Sequence, residues 1–416
     1  TRAAVVVMMN TRLPFDVFST HHLEPLEHKL VVTGADRERR RVLELNGVPA
    51  AELYAALVGC PVEALAPAVF ARHPLAVHLG GQHYVRSIQR VNEDGSLGPR
   101  NEVHCLSIEK KLGIKASPTA VLQYGQNDGA IGYLLGEENR GLDCMFLMMN
   151  SARFDVGLQG LSMSDRAYQQ AVVYARDRVQ GTPLERERGD TIVHHPDVLR
   201  LLTAMRGEIE AMRALLLVGG YSLDRAHADG GGGSGFWDAR ANLLIPVIKG
   251  WLTERSLQLT SDALQVHGGM GFIEETGAAQ HFRDARILPI YEGTTAIQAN
   301  DLVFRKTLRD GGEAVRGLIA EIRSDMDEIT QAGNGVAATA GAVRAACDTA
   351  EGALDTVLAR ANSPRDAAAS GTDFLMMLGY LSGGWQLARG AAAAAQAAAA
   401  GEGDPDFMAA KQATAG

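Results

Sequence analysis

The sequence has few cysteines and no long apolar run. Its 416 residues include four cysteines, which have neither paired nor metal-like spacing: Cys60, Cys105, Cys144 and Cys347. This scarcity argues against a disulfide framework and predicts a reduced, cytoplasmic setting. No apolar run reaches the ~18 residues that a membrane-spanning helix needs. The N-terminus lacks the basic-then-apolar order of a signal peptide, and a start at Thr1 without Met suggests a fragment.

The sequence also has no excess of basic over acidic residues. The net charge is −9 at pH 7, so a nucleic-acid-binding protein is not expected. Apolar residues make up 46% of the chain and charged residues 21%, which is ordinary for a soluble globular protein. The chain is long enough for two or three domains with a substantial core.

The first third of the chain has a mixed α/β pattern. The β-branched runs AAVVV and KLVVT predict strands, and PAAELYAALVG predicts a helix between Pro49 and Gly59. HYVRSIQRVNEDGSLG alternates apolar and polar residues up to an Asp-Gly turn. VHCLSI, TAVLQYG and AIGYLLG are β-like and separated by turn residues. We therefore predict a mixed α/β segment over residues 1–98 and a partial β-domain over 99–138.

From Gly141 onward the apolar period becomes helical. We predict an antiparallel helix bundle over residues 139–312 and an Ala-rich helical extension over 313–416, which together with the strands give an α+β fold. The predicted bundle helices cover about 141–181, 196–222, 236–266 and the stretch from the Glu292 loop to Leu308. GGGGSG at 230–235 predicts a flexible loop, and GAAAAAQAAAAGEGDPD leaves helix and frayed segment open.

The segment PIYEGTTAIQAN, residues 289–300, places Glu292 between an apolar stretch and a glycine. Beside Ile290, Tyr291 and Gly293, a carboxylate would be partly desolvated, which suits a general base. The two threonines that follow predict a cap for the next helix. Alternatively, Glu292 only complements that helix dipole, and the pattern alone favours this second interpretation.

Three other motifs contain candidate site residues, and each has a plain structural interpretation. The glycines of QVHGGMGF (Gly268, Gly269, Gly271) allow a phosphate to approach the backbone, but a helix C-cap fits the pattern better. Arg153 in ARFDVG either extends to solvent or pairs with an acid or a phosphate. The arginines of YARDRVQG complement a helix dipole. The histidines have no companions at ligand spacing, so no metal site is expected: His21, His22, His194, His195 and His267.

Taken together, these segments resemble the acyl-CoA dehydrogenase family. The resemblance runs from about residue 99 to the C-terminus through LLGEENRGLDCMFLMMNSARF, YARDRVQG, QVHGGMGFIEETGAAQHFRDARILPIYEGTT and AIQANDL, in the family's order. Within the family, the chain looks most like the 3-methylmercaptopropionyl-CoA dehydrogenase branch. The resemblance implies α,β-dehydrogenation of an acyl-CoA thioester with FAD as cofactor. It also implies electron-transfer flavoprotein as the electron acceptor and a homodimer or homotetramer.

The resemblance also assigns roles to single residues. Glu292 matches the catalytic base, and its backbone N–H would help to polarise the thioester oxygen. Some members carry the base beside the arginine that matches Arg153, where this chain has Ala152. Arg153 and Gly293 match substrate-side positions. The positions that hold FAD in the family match Arg178, Gln180, Gln265, Gly268, Gly269 and Thr294. The chain departs from the family pattern in RVQG, which lacks a Phe, and at Ala296, where Gln is common.

Upstream, the resemblance changes. Residues 3–97 resemble the C-terminal part of a FIST sensory domain through VLELNGVPAAELYAALVG and HYVRSIQRVNEDGSL. The family's N-terminal helical domain and complete β-domain have no counterpart here. The two resemblances meet at NEDGSLGPRNEV, residues 92–103, which predicts a chimeric chain. The alternatives to an active enzyme are therefore a small-ligand sensor with the bundle as a dimerisation platform, or an inactive chimera.

Overall fold

The fold is described by a computed structural model, and the chain forms two compact units. The structure describes residues 29–36, 41–65, 69–70, 73, 75–79, 82–86, 102–127, 129–132, 134, 136–228, 235–331 and 336–415. One unit comprises Thr1–Ile108 with Ala120–Tyr133, and the other comprises Glu109–Thr119 with Leu134–Gly416. In the described parts of the chain, no helix is long and apolar enough to span a membrane.

In its described residues, the first unit contains short antiparallel strands and helix α1, which is nine residues long. A three-stranded sheet joins β1 (Val32–Asp36), β2 (Arg41–Leu45) and β3 (Val48–Pro49), and α1 (Ala50–Val58) follows it directly. Two further antiparallel pairs are β4 (Leu75–Leu79) with β5 (Gln82–Arg86), and β6 (Val103–Ile108) with β7 (Ala120–Tyr124). Residues Val62–Ala64 form a 3-10 turn.

Most sequence predictions for this unit are confirmed. Helix α1 begins after Pro49 and ends at Gly59, whose φ of 71° requires the conformational freedom of glycine. VHCLSI and TAVLQYG form β6 and β7, and the KLVVT strand begins at Val32. The strand predicted for AIGYLLG is wrong. Its described positions are irregular, and Gly136 has a φ of 79°, which breaks an extended backbone.

Several predicted segments fall partly or wholly outside the described residues. They include the AAVVV strand, HYVRSIQRVNEDGSLG beyond residue 86, the part of the 92–103 junction up to residue 101, and the GGGGSG loop up to residue 234.

The second unit is the helix bundle with its extension. The three long bundle helices are α2 (Gly141–Asp177), α3 (Pro196–Ala228) and α4 (Phe236–His267), close to the predicted spans. Shorter elements follow: α5 (Gly269–Phe272), α6 (Ala278–Ala285), α7 (Thr295–Asn300) and a π-helical turn over Asp301–Arg305. The 3-10 turns of this unit are Ile192–His194 and Glu274–Thr276.

Helices α2 and α4 run parallel and pack closely. A Cβ at Gly157 would lie 2.6 Å from Ile248 Cγ2, and one at Gly160 would lie 2.9 Å from the Leu252 carbonyl oxygen. Helix α3 runs antiparallel to both, since it pairs Arg213 with Asp165 and Glu208 with Arg255. The core between the helices is apolar, with Met205, Met212, Leu215, Leu244, Ile248 and Leu252 fully buried or nearly so. This confirms the predicted antiparallel order of successive helices.

The Ala-rich extension is helical and packs on the bundle. Its helices are α8 (Glu313–Gln331), α9 (Ala337–Ala359), α10 (Pro364–Ala399) and α11 (Pro405–Ala415). Trp251 of α4 lies between Gly379 and Gly383 of α10, and Trp385 Nε1 donates to Asp325 Oδ2 at 2.7 Å. Lys411 pairs with the buried Glu210, which ties α11 to α3. The alanine run, predicted to be either helix or a frayed segment, is helical up to Ala399.

Gly160→Ala tests the close contact between α2 and α4. We expect it to destabilise the fold by about 1–3 kcal/mol in urea unfolding, because the new methyl would meet the backbone of Leu252. Gly352→Ala in α9 is the matched control, since nothing lies within 4 Å of its Cβ position and alanine favours a helix. Equal stability of the two variants would contradict the packing described.

Candidate active site

The turn between α6 and α7 carries Glu292. The Thr295 amide donates to the Pro289 carbonyl at 3.1 Å and closes the turn. The Thr294 hydroxyl accepts from the Ile297 amide at 3.3 Å, which confirms the predicted N-cap of α7. Glu292 and Gly293 both have left-handed backbone, with φ of 53° and 87°. A non-glycine residue in this region is strained, and such strain is common where a side chain has a functional task.

Glu292 itself is exposed on this turn. Ile290 beside it is 45% exposed, so the expected apolar surroundings are missing. The prediction that its neighbours desolvate Glu292 is therefore wrong for this chain, because the turn presents residues 290 and 292 at the surface. The carboxylate would become desolvated only if another group covered it.

Beneath the turn, a buried lysine of α4 holds its backbone. Lys249 is 0% exposed, and its Nζ donates to the carbonyl oxygens of Leu288 at 2.9 Å and Gly293 at 2.6 Å. Gln298 Nε2 donates to the carbonyl oxygens of Glu292 at 3.2 Å and Gly293 at 3.3 Å. The pKa of Lys249 is lowered to about 8, chiefly by burial and also by the charge of Arg153, while the charges of Glu254 and Glu292 oppose the shift.

A buried ion pair lies beside this turn. Arg153 NH1 donates to Asp301 Oδ2 at 2.8 Å, and the two side chains are 8% and 9% exposed. Of the alternatives left open for Arg153, the structure shows pairing with an acid. The Arg153 Nε atom is buried and has no hydrogen-bond partner in the described structure. A buried donor of this kind is suited to a bound acceptor.

Two further side chains attach the turn to its surroundings. The Thr295 hydroxyl donates to Glu254 Oε1 at 2.5 Å, and the Tyr291 hydroxyl donates to Gln159 Oε1. Burial raises the pKa of Tyr291, and the Glu292 charge adds to the rise. The tyrosine hydroxyl therefore stays protonated and acts as a donor.

A second group of predicted site residues lies at the other end of α2 and α4. The rings of Tyr174 and His267 stack at 4.5 Å and bring these helix ends together. Arg178 caps α2, and the backbone carbonyl oxygen of Gln180 accepts a hydrogen bond from His195 Nε2 at 2.9 Å. Gln265 is exposed at the end of α4. This group therefore combines an exposed cation and two exposed amides at the neighbouring ends of α2 and α4.

The glycines of this second group leave open space. Gly268 is the C-cap of α4 with a φ of 58°, which confirms the C-cap interpretation. Nothing lies within 4 Å of the Cβ positions of Gly268 or Gly269, whereas a Cβ at Gly271 would lie 2.6 Å from the Leu264 carbonyl oxygen. Gly271 thus serves packing, and the first two glycines leave the backbone approachable by a ligand.

The predicted site residues thus fall into two groups within one chain. Arg153, Glu292, Gly293 and Thr294 surround the turn, and Arg178, Gln180, Gln265, Gly268 and Gly269 lie at the far helix ends. Nineteen residues of α4 separate Lys249 from Gly268, which is about 28 Å of helix. One chain does not bring the two groups into contact.

Sequence reasoning missed Lys249, Glu254, Gln298 and Asp301. Lys249 did leave a signal, since it is the charged residue within the apolar run LLIPVIKGWL. A lysine buried in such a run needs hydrogen-bond acceptors, because an unpaired buried charge is very costly. Among the described residues, no group of three or more His, Cys, Asp or Glu side chains is arranged to hold a metal.

The chain is similar to known families in three stretches. Residues 139–306 match the family described as acyl-CoA dehydrogenase, C-terminal domain, and residues 318–416 match acetyl-CoA dehydrogenase C-terminal like. Residues 1–48 match the FIST N domain. This match covers about half of residues 3–97, the range predicted to resemble a FIST domain.

Individual relatives point to the same family. The chain is 48% identical to 3-methylmercaptopropionyl-CoA dehydrogenase of Ruegeria pomeroyi over 78% of this chain and 55% of that protein. Its fold matches ACDH-11 of Caenorhabditis elegans in complex with C11-CoA at a TM-score of 0.61 and 22% identity, over 75% of this chain and 51% of that one. It also matches an acyl-CoA dehydrogenase of Bacillus anthracis complexed with FAD at a TM-score of 0.57 and 18% identity, over 82% and 57% of the chains. The chain spans about half the length of the curated relatives it matches.

Arg153→Met tests the buried ion pair. We expect a loss of about 3–5 kcal/mol in the free energy of unfolding, because Asp301 would remain buried without its close partner. Arg153→Met/Asp301→Leu should recover most of this loss, since no unpaired charge is left. A double variant as unstable as the single one would contradict the account.

Lys249→Met tests the buried lysine through pH. Between pH 8 and 10.5, the unfolded chain holds a proton that folded Lys249 has released, so the wild type gains stability as pH rises through this range. The methionine variant lacks this titration. Urea unfolding at several pH values measures the free energy of unfolding of both proteins. As pH rises from 8 to 10.5, the value for the wild type should increase relative to that for the variant. A constant or falling difference would contradict the lowered pKa.

Proposed function

We propose that this chain acts as a flavin-dependent acyl-CoA dehydrogenase, because residues 139–306 match the family described as acyl-CoA dehydrogenase, C-terminal domain, and residues 318–416 match acetyl-CoA dehydrogenase C-terminal like. The reaction removes one hydrogen from the α-carbon and one from the β-carbon of an acyl-CoA thioester. The observation that carries the proposal is the Glu292 turn: an exposed carboxylate on strained backbone that buried side chains hold from below.

Glu292 acts as the general base. Its carboxylate accepts the proton from the α-carbon of the thioester, a contribution of roughly 10²–10⁴-fold for a positioned base. Its exposed position suits this role, since substrate and cofactor would themselves cover the carboxylate and exclude water. Within the described residues, the Glu292 amide donates no hydrogen bond. That N–H is available to the thioester oxygen as negative charge develops there.

FAD is the proposed cofactor, and when bound it supplies the hydride acceptor. Its proposed contacts are Arg178, Gln180, Gln265, Gly268, Gly269 and Thr294. The open backbone at Gly268 and Gly269, next to exposed amide and guanidinium groups, fits a phosphate-bearing ligand. The orphaned Nε of Arg153 adds a buried donor on the substrate side, where Gly293 leaves the turn backbone accessible.

The proposed assembly is a homodimer or homotetramer. Thr294 lies in the turn, whereas the other five proposed FAD contacts lie about 28 Å away along α4. If one FAD uses both groups, each site draws on two copies of the chain. The proposed electron acceptor is electron-transfer flavoprotein, and the proposed location is the cytoplasm.

The proposed substrate is an acyl-CoA thioester. The relative at 48% identity acts on 3-methylmercaptopropionyl-CoA, which makes that thioester the first substrate to test. The alternative, a small-ligand sensor, has support from the FIST match over residues 1–48. The family matches over residues 139–306 and 318–416 favour the enzyme.

Glu292→Gln tests the base. In protein reconstituted with FAD, addition of 3-methylmercaptopropionyl-CoA should bleach the flavin absorbance of the wild type. In the variant the bleaching rate should fall at least about 100-fold while FAD stays bound, because only the proton acceptor is lost. Glu275→Gln, at an exposed acid upstream, is the control and should behave as wild type. Rapid bleaching of the Glu292 variant would reject Glu292 as the base, and a wild type that takes up no FAD would reject the enzyme for this chain.

A further inference from the structure

A single buried amine joins both ends of the turn that carries Glu292. Lys249 Nζ bonds the carbonyl oxygens of Leu288 and Gly293, at 2.9 Å and 2.6 Å. These two carbonyls flank the four residues 289–292. The ammonium therefore fixes the distance across the turn and attaches it to α4, a largely buried helix of the bundle. Hydrogen bonds from a charged donor are about twice as strong as neutral ones.

The turn needs such a constraint. Glu292 has left-handed backbone, which is unfavourable for a residue with a Cβ. Strained residues keep their conformation only where the surrounding structure over-determines it. Here the restraints are Lys249, the Gln298 side chain and the Thr295 amide bonded to Pro289. Of these three, Lys249 alone carries a charge and bonds both ends of the turn.

We propose that Lys249 is a positioning residue for Glu292. It holds the backbone from which the Glu292 carboxylate and amide meet the substrate. Lys249 is fully buried beneath the turn, so it acts through Glu292 and not on the substrate itself. The inference rests on the proposed function of Glu292 as the base.

Packing alone does not account for a lysine here. A methionine would fill similar space without the desolvation of an ammonium. The lysine contributes hydrogen bonds of defined direction. It donates to two carbonyl oxygens that would have fewer hydrogen-bond partners beside an apolar side chain. The same bonds are the ones that define the shape of the turn.

The charges around Lys249 make the restraint sensitive to pH. Glu254 on α4 and Glu292 on the turn favour the ammonium, whereas burial and Arg153 on α2 disfavour it, and the pKa falls to about 8. The neutral amine donates weaker hydrogen bonds. Loop order should therefore fall above pH 8, while the global stability of the fold rises. A purely structural lysine would change loop order and global stability in the same direction. A fall in loop order with a rise in global stability therefore indicates a positioning role.

Hydrogen exchange on the chain without cofactor tests the restraint directly. In Lys249→Met, the amides of Ile290, Tyr291 and Thr295 should exchange on the order of 10- to 100-fold faster, as expected for loss of a charged hydrogen bond. Lys249→Gln keeps a neutral donor and should recover part of the protection. Lys306→Met, at another desolvated lysine of this unit that is bonded to Asn242, is the control and should leave these amides unchanged.

The pH dependence of hydrogen exchange is a second test. After correction for intrinsic exchange, these amides should lose protection in the wild type as pH rises through about 8. In Lys249→Gln the protection should not titrate. Should Lys249→Met fail to fold, the Lys249→Gln profile alone decides. Protection that is unchanged in both variants, or that falls equally in Lys306→Met, would overturn the proposal.

In FAD-loaded protein, Lys249→Gln should lower kcat at least about tenfold with little change in KM, because base placement and not substrate binding is disturbed. Unchanged kcat with faster loop exchange would overturn the positioning role. If the wild type binds no flavin or oxidises no thioester, the proposed function fails, and the exchange data still show whether Lys249 holds the turn.

Discussion

The close parallel contact between α2 and α4 is the constraint on which the candidate site depends. Gly157 and Gly160 allow the contact, since any larger side chain would meet Ile248 or the Leu252 backbone. The contact sets Arg153 beside Lys249 at one end and Tyr174 against His267 at the other. The bundle thereby fixes two groups of polar residues about 28 Å apart. The turn that carries Glu292 lies outside these long helices, and Lys249 of α4 attaches it to them through the carbonyl oxygens of Leu288 and Gly293.

The charges buried near the turn are better explained by placement than by stability. Lys249 and the Arg153–Asp301 pair are removed from water, which costs free energy that apolar side chains would not. In return, the backbone around Glu292 and Gly293 keeps a conformation that is unfavourable for Glu292. The site thus combines a rigid support with an exposed carboxylate.

Local signals predicted the elements well, and tertiary contacts account for the errors. Pro49 and Gly59 bounded α1, the 3.6-residue period identified the long helices, and Thr294 capped α7 as predicted. AIGYLLG failed because strand formation depends on a pairing partner and not only on β-propensity. The exposure of Glu292 was missed because desolvation depends on distant groups. Lys249 was overlooked, although a lone lysine in an apolar run is a signal for a buried hydrogen-bonding role.

Glu292 is the proposed acceptor of the α-proton. The most direct measurement is solvent exchange: 3-methylmercaptopropionyl-CoA is incubated in D₂O with flavin-loaded protein, and recovered thioester is examined by mass spectrometry. Wild type should introduce one deuterium at the α-carbon, and Glu292→Gln should introduce none above the uncatalysed background. Deuterium incorporation by Glu292→Gln at the wild-type rate would contradict the account.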